Sequence, residues 1–112
     1  MITPKTLAMG VLPLERTKLL ECLVGDRLRV DVMKIANQLS TNVKVTVWKV
    51  SNGISIPITP ISFNFFAGYM ADIIEHQEDL NMKEGDTIEG MCDTDSAVPY
   101  LIEGNVESPI PN

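Results

Sequence analysis

The chain has few of the residue types from which catalytic and metal sites are usually built. It contains one histidine and two cysteines in 112 residues. His76 lies in the run IIEHQED, where a histidine beside acids is more often a solvated surface residue than a catalytic base. Neither Cys22 nor Cys92 has a nucleophile motif around it, and these three residues lack the spacing of a zinc site. We therefore predict no catalytic residue, no metal and no cofactor.

Two cysteines are also too few for a disulfide framework. Both lie in apolar stretches, Cys22 in LLECLV and Cys92 in GMCD. We interpret them as buried or half-buried free thiols. A single disulfide or a reactive thiol is the alternative.

Long apolar runs and glycine-rich loops are missing as well. No run approaches the roughly 20 residues that a bilayer-spanning helix needs. The first ten residues, MITPKTLAMG, contain one lysine and no long apolar stretch, so we expect no signal peptide. Gly85 and Gly90 stand alone, without the pattern of a phosphate-binding loop. We expect no membrane partner and a cytoplasmic site of assembly.

Basic residues are nearly absent from the second half of the chain, and the net charge of the whole chain is −6. Residues 1–50 hold eight basic and four acidic residues, whereas residues 51–112 hold one basic residue, Lys83, and eleven acidic ones. We expect no nucleic-acid partner, because phosphate contacts need clustered Lys and Arg. Either interleaved strands average the charge, or a basic and an acidic patch favour head-to-tail contacts.

Short β-strand patterns separated by turn residues dominate what is present. Apolar and polar residues alternate in 27–36 and 43–50, and the alternation falters at 33–35, where we expect a bulge. Asn52-Gly53 predicts a type I′ hairpin turn. Seven or eight such strands predict an all-β fold, an antiparallel β-sandwich with jelly-roll or immunoglobulin-like topology.

The segments 69–82 and 13–24 stay open on local grounds. Residues 69–82 favour helix and strand about equally, and 13–24 could begin with a short helix. Pro57 and Pro60 cannot donate to a ladder, so we expect an edge strand there. The predicted core is Leu28, Val30, Val32, Val43, Val45, Val47, Ile54, Ile56, Ile88, Tyr100 and Ile102.

The chain divides into three parts by this pattern. We expect an N-terminal arm at 1–13, a sandwich domain at 14–107 and a C-terminal tail at 108–112. The prolines of the two ends suit extended segments that lie across a neighbour, with frayed termini as the alternative. In the loop Asp93-Thr94-Asp95, carboxylates that satisfy their own backbone amides are favoured over a Ca²⁺ site.

The order of these features resembles small virion structural proteins of tailed bacteriophages. A tight Gly-Asp turn follows a short strand in LLECLVGDRLRVDVMKIAN, and an asparagine-containing loop enters a valine-rich strand in ANQLSTNVKVTVWKV. A second Gly-Asp turn lies in MKEGDTIEGMCDTDSA, and the last strand ends near a glycine in VPYLIEGNVE. The resemblance runs from about residue 14 to residue 107. It implies a head decoration, collar or tail-associated protein in the virion, a homo-oligomer without a cofactor, and a strand at 69–82.

We therefore expect a non-enzymatic assembly subunit that binds copies of itself and a larger capsid or tail protein. A monomeric carbohydrate- or receptor-binding module and a small acidic inhibitor of a host protein are the alternatives. The contact surface is predicted on the terminal segments, the prolyl edge and the acidic stretch. Its residues are Ile2, Pro4, Leu7, Pro57, Pro60, Asp72, Glu75, Glu78, Asp79, Pro109 and Ile110.

Overall fold

Ten β-strands and no helix make up the described part of the chain. The structure, a computed structural model, describes residues 5–74 and 80–107. The strands are β1 (Lys5–Val11), β2 (Thr17–Glu21), β3 (Arg27–Ala36), β4 (Val43–Ser51), β5 (Ile54–Pro57), β6 (Phe63–Phe65), β7 (Met70–Ile74), β8 (Leu80–Met82), β9 (Thr87–Cys92) and β10 (Pro99–Glu107).

The strands form two antiparallel sheets that pack against one another, which confirms the predicted β-sandwich. Sheet A has the order β1-β10-β3-β7, with β8 also paired to β3. Sheet B has the order β2-β9-β4-β5, with β6 also paired to β4. The apolar inner faces of both sheets contribute to one buried cluster.

Each sheet has one edge strand in two pieces. β7 and β8 pair with different halves of β3, and β5 and β6 pair with different halves of β4. Pro57 and Pro60 lie at the break in sheet B, where a residue without an N–H cannot continue the ladder. The described residues therefore contain ten short strands, where seven or eight were expected.

The hairpin between β4 and β5 has the predicted turn. Asn52 and Gly53 have φ values of 52° and 76°, and a type I′ turn requires a positive φ at both positions. Ser51 and Ile54 are paired directly across the turn. A two-residue sequence signal therefore sets the register of this edge.

A bulge interrupts β3 slightly earlier than expected. Val32 pairs with Glu103 and Val30 pairs with Gly104, so Asp31 is the extra residue on β3. The positions of β3 that face the core shift by one residue there. This shift is the physical cause of the irregular alternation in the sequence.

Close approach of the two backbones makes glycine necessary opposite the bulge. A Cβ atom on Gly104 would overlap the carbonyl oxygen of Arg29. The carboxylate of Asp31 accepts hydrogen bonds from Nε of Arg29 at 3.1 Å and from Nδ2 of Asn105 at 3.2 Å. The bulged residue is thus held by its own strand and by β10.

Most of the predicted core is buried, namely Leu28, Val30, Val32, Val43, Val45, Val47, Ile88 and Ile102. Tyr100 is half-buried and packs against this core. The prediction was wrong for Ile54 and Ile56, which are 64% and 56% exposed. Both lie on β5, an edge strand whose main contacts are with β4, so the other sheet does not cover them.

Residues 5–11, which we assigned to an N-terminal arm, form β1 within sheet A. They pair with β10 from Lys5 opposite Gly104 to Val11 opposite Pro99. Leu7 of this strand packs against the core, so the segment contributes to its own domain. Residues 1–4 and the predicted tail 108–112 lie outside the described residues.

The two ambiguous segments are extended where the structure describes them. Residues 70–74 and 80–82 are the strands β7 and β8, and residues 75–79 are not described. In the segment 13–24, β2 follows a loop with no helix. No described helix has the length and apolar character needed to cross a lipid bilayer.

Candidate functional surfaces

The predicted interface residues that the structure describes do not form one surface. Leu7 is half-buried on β1, and Asp72 is exposed on β7, at the opposite edge of sheet A. Pro57 and Pro60 are exposed at the edge of sheet B. The remaining predicted residues lie outside the described residues: Ile2, Pro4, Glu75, Glu78, Asp79, Pro109 and Ile110.

The outer face of sheet A carries an apolar surface that sequence reasoning missed. Met9 pairs with Leu101, Leu101 pairs with Lys34, and Lys34 pairs with Asp72. Directly opposed residues share a face of the sheet, so these four form one row across β1, β10, β3 and β7. Met9 in this row is 72% exposed.

A second row lies beside the first, two residues along each strand. Val11 pairs with Pro99, and Ala36 pairs with Met70. Met70 is 80% exposed and Val11 is 49% exposed. Apart from Val11, the residues of the two rows line a groove with a volume of 490 Å³. We call them the methionine patch: Met9, Val11, Lys34, Ala36, Met70, Asp72, Pro99 and Leu101.

Two aromatic side chains are exposed in the loop between β6 and β7. Phe66 is 51% exposed and Tyr69 is 62% exposed, and their ring centroids are 5.6 Å apart in an edge-to-face arrangement. The loop is anchored to β3, because the Asn37 N–H donates to the Tyr69 carbonyl at 2.8 Å and the Gly68 N–H donates to the Asn37 carbonyl at 3.1 Å. Neither residue was in the predicted core.

The outer face of sheet B is held together by polar contacts. Arg16 lies 4.1 Å from the centroid of the Trp48 ring, and its Nε donates to Oε1 of Glu89 at 2.6 Å. Its Nη2 donates to Oγ of Ser55 at 2.6 Å. The guanidinium covers the one tryptophan of the chain, so this ring is not offered as a stacking platform.

A polar cleft of 570 Å³ lies at the end of the sandwich away from the aromatic loop. Nζ of Lys49 donates to the Asn81 carbonyl at 2.9 Å and lies 3.8 Å from Oδ2 of Asp86. Lys49 is on β4 of sheet B, whereas Asn81 is on β8 of sheet A. Lys49 therefore links the two sheets beside this cleft, and its positive charge is engaged in these two contacts.

The two cysteines are buried free thiols, which confirms their interpretation. Sγ of Cys22 donates to the Asp26 carbonyl at 3.3 Å, and Sγ of Cys92 donates to the Thr94 carbonyl at 3.0 Å. Burial raises the pKa of both thiols, which disfavours the reactive thiolate.

The Asp93 carboxylate bonds to the backbone of β4 and to a side chain of its own loop, whereas bonds to the loop's own amides were expected. Oδ1 of Asp93 accepts hydrogen bonds from the Lys44 N–H at 2.9 Å and from Oγ1 of Thr94 at 3.1 Å. Within residues 5–74 and 80–107, no group of three or more His, Cys, Asp or Glu side chains could hold a metal ion. His76 lies outside those ranges.

Comparisons of this chain with protein-family models, with curated proteins and with solved structures find no match. The chemistry of the surfaces is therefore the basis for a proposal about function.

Proposed function

We propose that this chain is a non-enzymatic structural subunit of a bacteriophage virion, which binds copies of itself and a larger capsid or tail protein. The observation that carries the self-binding part of the proposal is the methionine patch, and the virion part rests on the resemblance in the order of strands and turns. Its methionines lie on an open sheet face, and exposed apolar patches of this kind mark protein–protein contacts. Methionine is enriched in such contacts relative to the rest of a protein surface.

The strand order supports a jelly-roll topology within this proposal. Along the chain β1 pairs with β10, β2 with β9, β3 with β7 and β8, and β4 with β5 and β6. Such pairing is that of a long two-stranded ribbon folded over into two sheets. Jelly rolls of this kind occur in viral capsid and lectin domains, so the topology fits a virion subunit without requiring one.

The charged groups beside the polar cleft also fit a structural subunit. Lys49 and Asp86 pair with one another, and Lys49 also bonds across to sheet A. On the outer face of sheet B, Arg16 and Glu89 are likewise paired. These groups stabilise the sandwich by joining strands that are distant in the sequence.

Sedimentation velocity of the purified chain over a wide concentration range tests the proposal. We expect a discrete oligomer that forms at high protein concentration. A single monomeric species over the whole range would contradict the self-binding part of the proposal.

A monomeric carbohydrate- or receptor-binding module is the second candidate, and the exposed pair Phe66 and Tyr69 favours it. Aromatic rings at a loop tip offer apolar faces with a polar group nearby. This candidate predicts binding on a glycan array that the double substitution Phe66→Ala and Tyr69→Ala abolishes. A discrete oligomer with no glycan binding would reject it.

A further inference from the structure

We infer that two copies of this chain pair face to face through the β3 and β7 part of the methionine patch, about a two-fold axis that runs along the strands between β3 and β7. The inference rests on the proposed function, because it names the surface through which the self-binding takes place. The partner is a second copy of the chain, and the contact is made twice by symmetry.

The charges of the patch support this arrangement. Lys34 and Asp72 are direct neighbours on β3 and β7, and they carry opposite charges. A two-fold axis between the two strands places Lys34 of each copy opposite Asp72 of the other. The charge pattern is therefore complementary to itself, which is the condition for a symmetric dimer.

The shapes of the second row fit the same axis. Ala36 on β3 and Met70 on β7 are direct neighbours, one small and one large. The axis that brings Lys34 to Asp72 also places Met70 of each copy over Ala36 of the other. The Met70 side chain, which is 80% exposed in the single chain, then occupies the partner's groove above Ala36. The strands of the two facing sheets are then nearly aligned, as in other sheet-on-sheet contacts.

The size of the patch sets the expected strength. Because β7 is the edge strand of sheet A, this axis brings only β3 and β7 of each copy into contact. Strands are about 4.8 Å apart and alternate residues on one strand are about 7 Å apart, so two rows on these two strands cover much less than the roughly 800 Å² per partner of a standard interface. We therefore expect a reversible dimer that dissociates on dilution, with further stabilisation when it assembles on a larger partner.

The first test is the substitution Met70→Glu, compared with wild type by sedimentation velocity at a concentration where the wild type is dimeric. We expect the variant to be monomeric, because each copy would place a carboxylate on the partner's apolar floor. The matched control is Val24→Glu, at an 86% exposed position in the loop between β2 and β3. The control should dimerise like wild type.

The second test uses charge reversal to separate contacts between copies from contacts within one copy. Lys34→Glu and Asp72→Lys should each weaken the dimer at least tenfold, because like charges then face each other twice. An equimolar mixture of the two variants should restore a dimer, since the introduced glutamate of one variant then faces the introduced lysine of the other. Thermal unfolding followed by Trp48 fluorescence checks that each variant is folded.

The outcomes distinguish the inference from the proposed function. A wild type that is monomeric at every concentration contradicts both. A wild-type oligomer that persists in Met70→Glu, or a mixture of charge variants that stays monomeric, overturns the patch as the interface and leaves self-binding through another surface.

Discussion

Replacing Gly104 by alanine perturbs the centre of sheet A, where β10 pairs with β3 beside the bulge. The added Cβ would overlap the carbonyl oxygen of Arg29, a backbone atom that cannot move without separating the two strands. Overpacking a tight site costs about 1–3 kcal/mol. Each ladder hydrogen bond that is lost adds about 1 kcal/mol. We expect Gly104→Ala to lower the free energy of unfolding by about 3 kcal/mol, a large part of the about 5–15 kcal/mol of an ordinary domain.

Urea unfolding followed by the fluorescence of Trp48 measures this loss. The matched control is Gly10→Ala on β1, where a Cβ would meet the hydroxyl oxygen of Tyr100 at 3.1 Å. That oxygen is the far end of a side chain and can shift, so the control should stay within about 1 kcal/mol of wild type. A Gly104→Ala protein as stable as the control, with an unchanged denaturant slope, would refute the close approach at the bulge.

Three further predictions concern the ion pair of Lys49 with Asp86 and the two buried thiols. Lys49→Met should lower the free energy of unfolding in urea by about 1–2 kcal/mol, because the buried Asp86 loses its cation, whereas Lys18→Met, at an exposed pair, should change it by less than about 0.5 kcal/mol. Equal effects of the two substitutions would contradict a structural role for Lys49. Cys22 and Cys92 should react with a thiol reagent only after unfolding, and fast labelling of the native chain would contradict their burial. Because the folded state raises the pKa of both thiols, the free energy of unfolding should fall as the pH rises above the ordinary thiol value of 9.0, measured by urea unfolding at neutral pH and at pH about 10. An unchanged free energy of unfolding at the higher pH would contradict this linkage.

The fold was predictable where local chemistry decides the structure. The alternation in β4 and in the first part of β3 identified inward side chains, but Met33 and Ile35, which face the core after the bulge, were not in the predicted core. The pair Asn52 and Gly53 set a hairpin turn by itself. The bulge in β3 was visible as a break in the alternation, because one extra residue reverses the pattern. These signals act over a few residues and need no knowledge of the partner strand.

Features that depend on distant strands were not predictable. Ile54 and Ile56 alternate like core residues, but their burial depends on whether the other sheet extends over β5. Residues 5–11 were assigned to an arm because they lie beside the prolines of the N-terminal end. Their strand was missed because its partner, β10, lies at the opposite end of the chain.

The methionine patch had little local signal for the same reason. Met9, Met70 and Leu101 are apolar residues in alternating segments, and nothing in the sequence says which apolar face of a strand is left outside. The charge of Lys34 was the one available sign, since a lysine in this part of β3 indicates that the face of the strand carrying it is exposed to solvent. The patch becomes visible only when the register of four strands is known.

The solution mass of the purified chain, measured by light scattering at low and high protein concentration, tests the central claim most directly. The proposal predicts twice the mass of the chain at high concentration and a fall toward the mass of one chain on dilution. The mass of a single chain at every concentration would contradict a self-assembling subunit.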